Sequence, residues 1–266
     1  KFNLGPEDNS QAATFGVDGY AQSYIELDAG GSSEFINILN KKYYEAYTWK
    51  VRHYKPGDIN EVWFQFTPEG NVYGFYEKLS DDLFLESLSK NDSQQLAELE
   101  SVKNWNVDLL NYDLIEIQED LKPSNRLDYT FVYKRNDISI DEEGEYRLRI
   151  TVSGNKLTEV KHFIKIPETF NRKYEEMRSS NNTIASISTY AMIIFYVFGG
   201  IIIGLFVLNR ERWLLWKSAV YWALFVSVLT LVSGLNYMPL SWLGYDTAVS
   251  TQNFIIQNIV ISLING

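Results

Sequence analysis

Period-2 alternation of apolar and polar residues fills one part of the chain, and unbroken apolarity fills another. Tyr47-Thr48-Trp49-Lys50-Val51-Arg52-His53 alternates in the manner of a half-buried strand. The turn cluster Lys55-Pro56-Gly57-Asp58 follows, and segments 61–67 and 72–78 then predict a hairpin around Pro68-Glu69-Gly70-Asn71. Further strands are predicted over 112–118, 146–153 and 157–166. Helices are predicted over 33–42 and 93–104, the second with Asp92 or Ser93 as N-cap and with Leu96, Leu99 and Val102 recurring on one face. Beyond these elements the pattern changes: no charge occurs in the 31 residues between Arg178 and Arg210. A helix of roughly 20 apolar residues crosses a bilayer core, so this interval predicts a transmembrane span. A second charge-free interval runs from Lys217 to Asp246, and a third opens after Asp246.

An internal echo suggests how the polar part is organised. Tyr47-Thr48-Trp49 is matched by Tyr129-Thr130-Phe131 at an offset of 82, and Gly70-Asn71 by Gly154-Asn155 at an offset of 84. With a predicted helix before each copy, the expectation is an α+β extracytoplasmic domain of two helix-plus-antiparallel-sheet modules followed by transmembrane α-helices. The boundaries are 1–88 and 89–166 for the modules and 167–183 for a juxtamembrane helix or linker. Transmembrane helices follow at 184–208 and 218–238, joined by a cytoplasmic loop at 209–217. An outer loop at 239–253 then leads to the start of a third span at 254–266. The element order resembles the PepSY type of small extracytoplasmic domain.

Charge sharpens the division and supplies an orientation. Residues 1–183 carry 21 of the 24 Lys and Arg and 32 of the 34 Asp and Glu, a net charge of −11. That balance argues against nucleic acid, whose phosphates call for a basic surface. Loop 209–217 carries Arg210, Arg212 and Lys217, whereas 236–253 has no basic residue. The positive-inside rule then places the first loop in the cytoplasm and residues 1–183 outside it, which for a bacterial chain means the cytoplasmic membrane. The lipid bilayer is the expected partner of the apolar spans. Trp213, Trp216, Trp222, Tyr237 and Trp242 are read as interfacial anchors. Gly200 and Gly204, in a Gly-x-x-x-Gly spacing, form a helix-packing face expected to meet another helix of the same protein.

Candidate chemistry is sparse. The chain has no cysteine, which removes disulfides, thiolate metal sites and thiol nucleophiles. Its two histidines, His53 and His162, fall on separate predicted strands and are read as ordinary strand residues rather than ligands. Asp58, Asp137 and the run Asp141-Glu142-Glu143-Gly144-Glu145 lack the alternating ligand spacing of a calcium loop and read as solvated acidic turns. Glu175-Glu176-Met177-Arg178 has paired glutamates, but Ser180 stands where a Glu-Glu-x-x-x-Arg motif needs arginine. No catalytic, cofactor-binding or metal-ligating residue is assigned in these 266 residues.

The segment from His162 to Ile184, HFIKIPETFNRKYEEMRSSNNTI, resembles the stretch before the first core helix in long bacterial members of the CPBP family. These are the CAAX-protease and bacteriocin-processing (Abi-like) intramembrane metalloproteases. Tyr47–His53, Phe66-Thr67-Pro68-Glu69-Gly70 and the string SWLGYDTA from Ser241 resemble further stretches of the same proteins. The family's Glu-Glu-x-x-x-Arg, Phe-x-x-x-His and His-x-x-x-Asn/Asp motifs do not occur here. The resemblance therefore implies the non-catalytic amino-terminal part of a zinc-dependent membrane protease. Its metal ligands would lie on further helices of the same protein, and a peptide or protein would be its substrate. An extracytoplasmic sensor or interaction domain of a membrane signalling protein is the alternative.

Overall fold

The computed structural model describes residues 10–264 apart from 142 and 214. Eight strands form one antiparallel sheet: β1 Ser10–Val17, β2 Tyr47–Tyr54, β3 Glu61–Phe66, β4 Val72–Lys78, β5 Tyr112–Leu121, β6 Leu127–Arg135, β7 Glu145–Ser153 and β8 Lys156–Lys165. Their order across the sheet is β1-β2-β3-β4-β8-β7-β6-β5. The two four-stranded halves join at their last strands, where the register pairs are Phe75↔Val160 and Tyr76↔Glu159.

The echo seen in the sequence falls on equivalent places in this order. Tyr47 to Trp49 lies on β2 and Tyr129 to Phe131 on β6, each one strand in from an edge. The Gly-Asn pairs form the β3–β4 and β7–β8 turns, where Gly70 and Gly154 take φ of 90° and 61°. The helices do not repeat in the same way. Helices α1 (Gly19–Leu27) and α2 (Gly31–Asn40) lie between β1 and β2, whereas α3 (Lys90–Trp105) precedes β5 and a tight turn joins β5 to β6. The sheet is continuous across the expected boundary at residue 88, which falls in the connector between β4 and α3.

Helix α3 corrects two local expectations. Its N-cap is Ser89 rather than Asp92 or Ser93: the Ser89 hydroxyl accepts from the Asp92 amide at 3.3 Å and donates to the Asp92 carboxylate at 2.6 Å. This is a reciprocal arrangement akin to a capping box. The buried face is made of small residues, Ser93, Ala97 and Ser101, while Leu99 and Val102 are exposed. Spacing of four residues keeps one face of an α-helix, whereas repeated steps of three drift around it. Against this face lies the main core, including Phe131, Leu148, Ile150, Val152 and Val160. Trp105 stacks on Phe75 with ring centres 4.1 Å apart and 8° between planes.

After the sheet come α4 (Glu168–Ile193), a π-helical stretch (Ile194–Ile202), α5 (Ile203–Arg210), α6 (Trp216–Ser241) and α7 (Thr251–Ile264). The stretches Glu168–Arg210 and Trp216–Gly244 are long and apolar enough to cross a membrane. The chain divides into two compact units. One holds the sheet and its helices together with Tyr237–Ile256, and the other holds 168–236 and 257–266. In the second unit α6 and α7 approach closely at Gly234, where a Cβ would collide with the Ser262 side chain.

Candidate functional site

In the sheet unit, the connection from α6 to α7 is held by one buried arginine. Arg52 leaves β2 only 5% exposed. Its Nε and Nη2 donate to Glu61 Oε2 at 2.7 and 2.5 Å. Its Nη1 donates to three backbone carbonyls, those of Trp242 at 3.1 Å, Leu243 at 3.2 Å and Tyr245 at 2.8 Å. Helix α6 continues there into a 3-10 turn, Trp242–Gly244. The last carbonyls of a helix have no partner within it and carry the negative end of its dipole. A guanidinium with a planar fork of donors satisfies several of them at once. Glu61 neutralises the charge that would otherwise be buried alone.

Aromatic rings close the site. Tyr54 packs against Tyr245 and Trp242 with centres 5.5 and 6.4 Å apart, and Phe254 at the start of α7 lies 4.9 Å from Tyr245. The Arg52 guanidinium lies 4.6 Å from the Tyr54 ring centre and 5.2 Å from that of Trp63. Burial raises the Tyr54 hydroxyl above the ordinary tyrosine pKa, with the Arg52 charge opposing it. The β2–β3 turn adds a backbone bond, the Gly57 amide donating to the Thr247 carbonyl at 2.8 Å. Gly57 has φ of 80°, which suits glycine at this turn. Tyr245 donates its hydroxyl to the Val249 carbonyl at 2.5 Å. Residues 242–249 are thus anchored by a side-chain clamp, a stack of rings and one strand-turn amide.

The residues singled out from sequence lie elsewhere. His53 on β2 packs edge-on to Phe64 at 5.9 Å, and burial holds its pKa below the usual histidine value. His162 on β8 stacks on Tyr73 at 4.7 Å. Burial, aided by the Arg135 charge, lowers its pKa to about 4. Among the described residues no three His, Cys, Asp or Glu converge in a way that could hold a metal.

The acidic positions have local partners. Asp137 pairs with Arg135 at 2.7 Å. Asp141 accepts from the Tyr24 hydroxyl and from the amides of Glu143 and Gly144, so its carboxylate organises its own loop. Asp58 caps the β2–β3 turn through the Asn60 amide at 2.9 Å. Glu175 and Glu176 lie on α4.

Gly200 falls in the π-helical stretch and Gly204 in α5. A Cβ on Gly204 would meet nothing within 4 Å, and one on Gly200 would meet only Tyr196 of its own helix. Among the described helices, a close approach occurs at Gly234, where a Cβ would meet Ser262. Trp213, Trp216, Trp222 and Tyr237 are exposed. Trp242, grouped with them as an interfacial anchor, packs instead into the Tyr54, Tyr245 and Phe254 cluster.

Arg52 and Glu61 were not singled out from the sequence. In an alternating strand, an arginine reads as a water-facing residue, and backbone carbonyls leave no sequence signal. Comparison of the chain with protein-family models, with curated proteins and with solved structures found no match.

Proposed function

We propose that the sheet unit is an extracytoplasmic regulatory domain that fixes the outer end of the α6–α7 hairpin and thereby controls how those helices are presented in the membrane. The carrying observation is Arg52, whose buried guanidinium ties β2 and β3 to the carbonyls of the 3-10 turn that follows α6 and of Tyr245 after it. Two apolar helical stretches between the sheet and this connection would return the chain to the side it started from. That agrees with the connection being part of the same compact unit as the sheet. The basic loop with Arg210, Arg212 and Lys217 supports the cytoplasmic side for the opposite end.

The resemblance to the CPBP family gives this regulation an object. On that reading the helices belong to an intramembrane metalloprotease, and the domain governs access of a peptide or protein substrate to zinc-bearing helices that are not among residues 1–266. The test uses spin labels on α6 and α7, at Val228 and Val260, with the chain in lipid nanodiscs. Arg52→Met should broaden or shift the distance between them. An unchanged distribution, with the connection shown to be released by faster proteolysis near Val249, would overturn the regulatory reading.

A further inference from the structure

A second feature lies on the other side of the β2–β3 turn. Glu77 on β4 is buried, with a side chain only 7% exposed. Its Oε1 accepts from Lys156 Nζ at 2.6 Å, while its Oε2 has no hydrogen-bond partner. Cross-strand partners project to the same face of a sheet, and Glu77 pairs in register with Val62. Val62, Glu77 and Lys156 all line a cavity of about 240 Å³. The connector leaving β4 covers it with Leu79, Leu83 and Leu85, and Asp58 and Asn60 complete its polar side.

The chemistry of the lining selects an occupant. The Glu61 side chain is turned to Arg52 on the other face of the sheet, so two carboxylates, Asp58 and Glu77, stand with one lysine here, and a cation is favoured over an anion. One buried carboxylate oxygen lacks a donor, and a buried acceptor is stable only with one. The described residues offer no convergent set of three metal-ligating side chains, whereas an ammonium can give one of its three donors to a single carboxylate oxygen and the others to water. The apolar side is formed by Val62 and three leucines, which suits a short alkyl chain. The volume lies below the roughly 300–1,000 Å³ of pockets for drug-sized ligands, so the ligand is small.

We propose that this cavity binds a primary alkylammonium group, with its nitrogen on Glu77 Oε2 and its alkyl chain against Val62, Leu79, Leu83 and Leu85. A free alkylamine and the side chain of a lysine-containing peptide share that chemistry. The whole 266-residue chain in detergent is titrated by calorimetry and by methyl NMR with n-butylamine, with Gly-Lys-Gly and with n-butanol. Saturable binding of n-butylamine alone identifies a free amine, and binding of the tripeptide as well identifies a peptide side chain. In both cases n-butanol should fail, and Glu77→Gln should weaken binding at least tenfold. Leu79→Trp fills the cavity while leaving the Glu77–Lys156 pair in place, and it should weaken binding to a similar degree even if the Glu77 variant folds poorly. Absence of saturable binding by either amine, equal binding by n-butanol, or undiminished binding in Leu79→Trp would overturn the proposal.

Discussion

Replacing Arg52 by Met is the most direct perturbation of the site, because Met keeps most of the aliphatic bulk and removes every donor. Glu61, with a side chain 13% exposed, would lose its partner, and the carbonyls of Leu243 and Tyr245 would lose their guanidinium donor, while that of Trp242 would keep only the Tyr245 amide. Stranding one member of a buried ion pair costs about 3–5 kcal/mol. Released carbonyls can regain water if the connection lifts away, so the expected loss lies near the lower figure, about 3 kcal/mol. At about 1.4 kcal/mol per tenfold change, that corresponds to roughly 100-fold faster opening of the connection. The amide of Gly57, bonded to the Thr247 carbonyl, is the reporter, and hydrogen exchange read by NMR or mass spectrometry gives its opening free energy. The double variant Arg52→Met with Glu61→Leu buries no lone charge. It should therefore recover global stability in chemical denaturation while leaving Gly57 unprotected. An unchanged Gly57 exchange rate in Arg52→Met, or a global loss under about 1 kcal/mol, the size of an ordinary hydrogen bond, would refute the reasoning.

Three other outcomes are expected. Gly234→Ala should destabilise α6–α7 packing by about 1–3 kcal/mol through collision with Ser262, and Ser262→Gly should recover part of the loss in thermal unfolding in micelles; additive effects would contradict a direct contact. His162 is held neutral in the fold, with a pKa of about 4 against an ordinary 6.5. Its contribution is therefore fully present above pH 6.5 and is lost as pH falls through 4, by up to about 3 kcal/mol. His162→Phe, which retains a ring against Tyr73, should flatten denaturation midpoints across that window; an unchanged slope would show that other groups govern it. For topology, cysteines placed at Leu110 and Ala248 should react alike with an impermeant maleimide on intact cells, and one at Asn209 should not. Leu110 is 92% exposed, so failure there cannot be ascribed to burial.

The part of the fold most legible in the sequence is the run from β2 to β4. Alternation over 47–53 and turn residues at Gly57 and Gly70 leave little freedom of register, and the strands end within a residue or two of the sequence reading. Strand β1 and helix α1, residues 10–27, carry few strong turn signals and were not read at all. Helix α3 lies where the sequence places it, and of the expected face Leu96 packs against the core while Leu99 and Val102 are exposed. Its sheet-facing residues, Ser93, Ala97 and Ser101, are small so that the helix can come close, and apolar pattern rules reward the larger Leu99 and Val102 instead. The joining of both halves into one sheet also escaped the sequence, since the β4–β8 contact links strands about 80 residues apart and few register pairs define it.

The clamp was invisible for a different reason. Its donor is one arginine among the alternating polar positions of a strand, and its acceptors are main-chain oxygens about 190 residues away. Yet the need for such a donor follows from how α6 ends, in a 3-10 turn whose carbonyls must find partners in water, in headgroups or in protein. A partner in water would leave this end of the helix free to move, and headgroup partners would exchange as the lipids do. A buried guanidinium held by Glu61 is neither, because releasing it strands a carboxylate along with the carbonyls of Leu243 and Tyr245. The position of the helix end is thereby made a property of the folded sheet, and any event that reshapes the β2–β3 turn, to which Glu61 and Gly57 both belong, acts on that end directly.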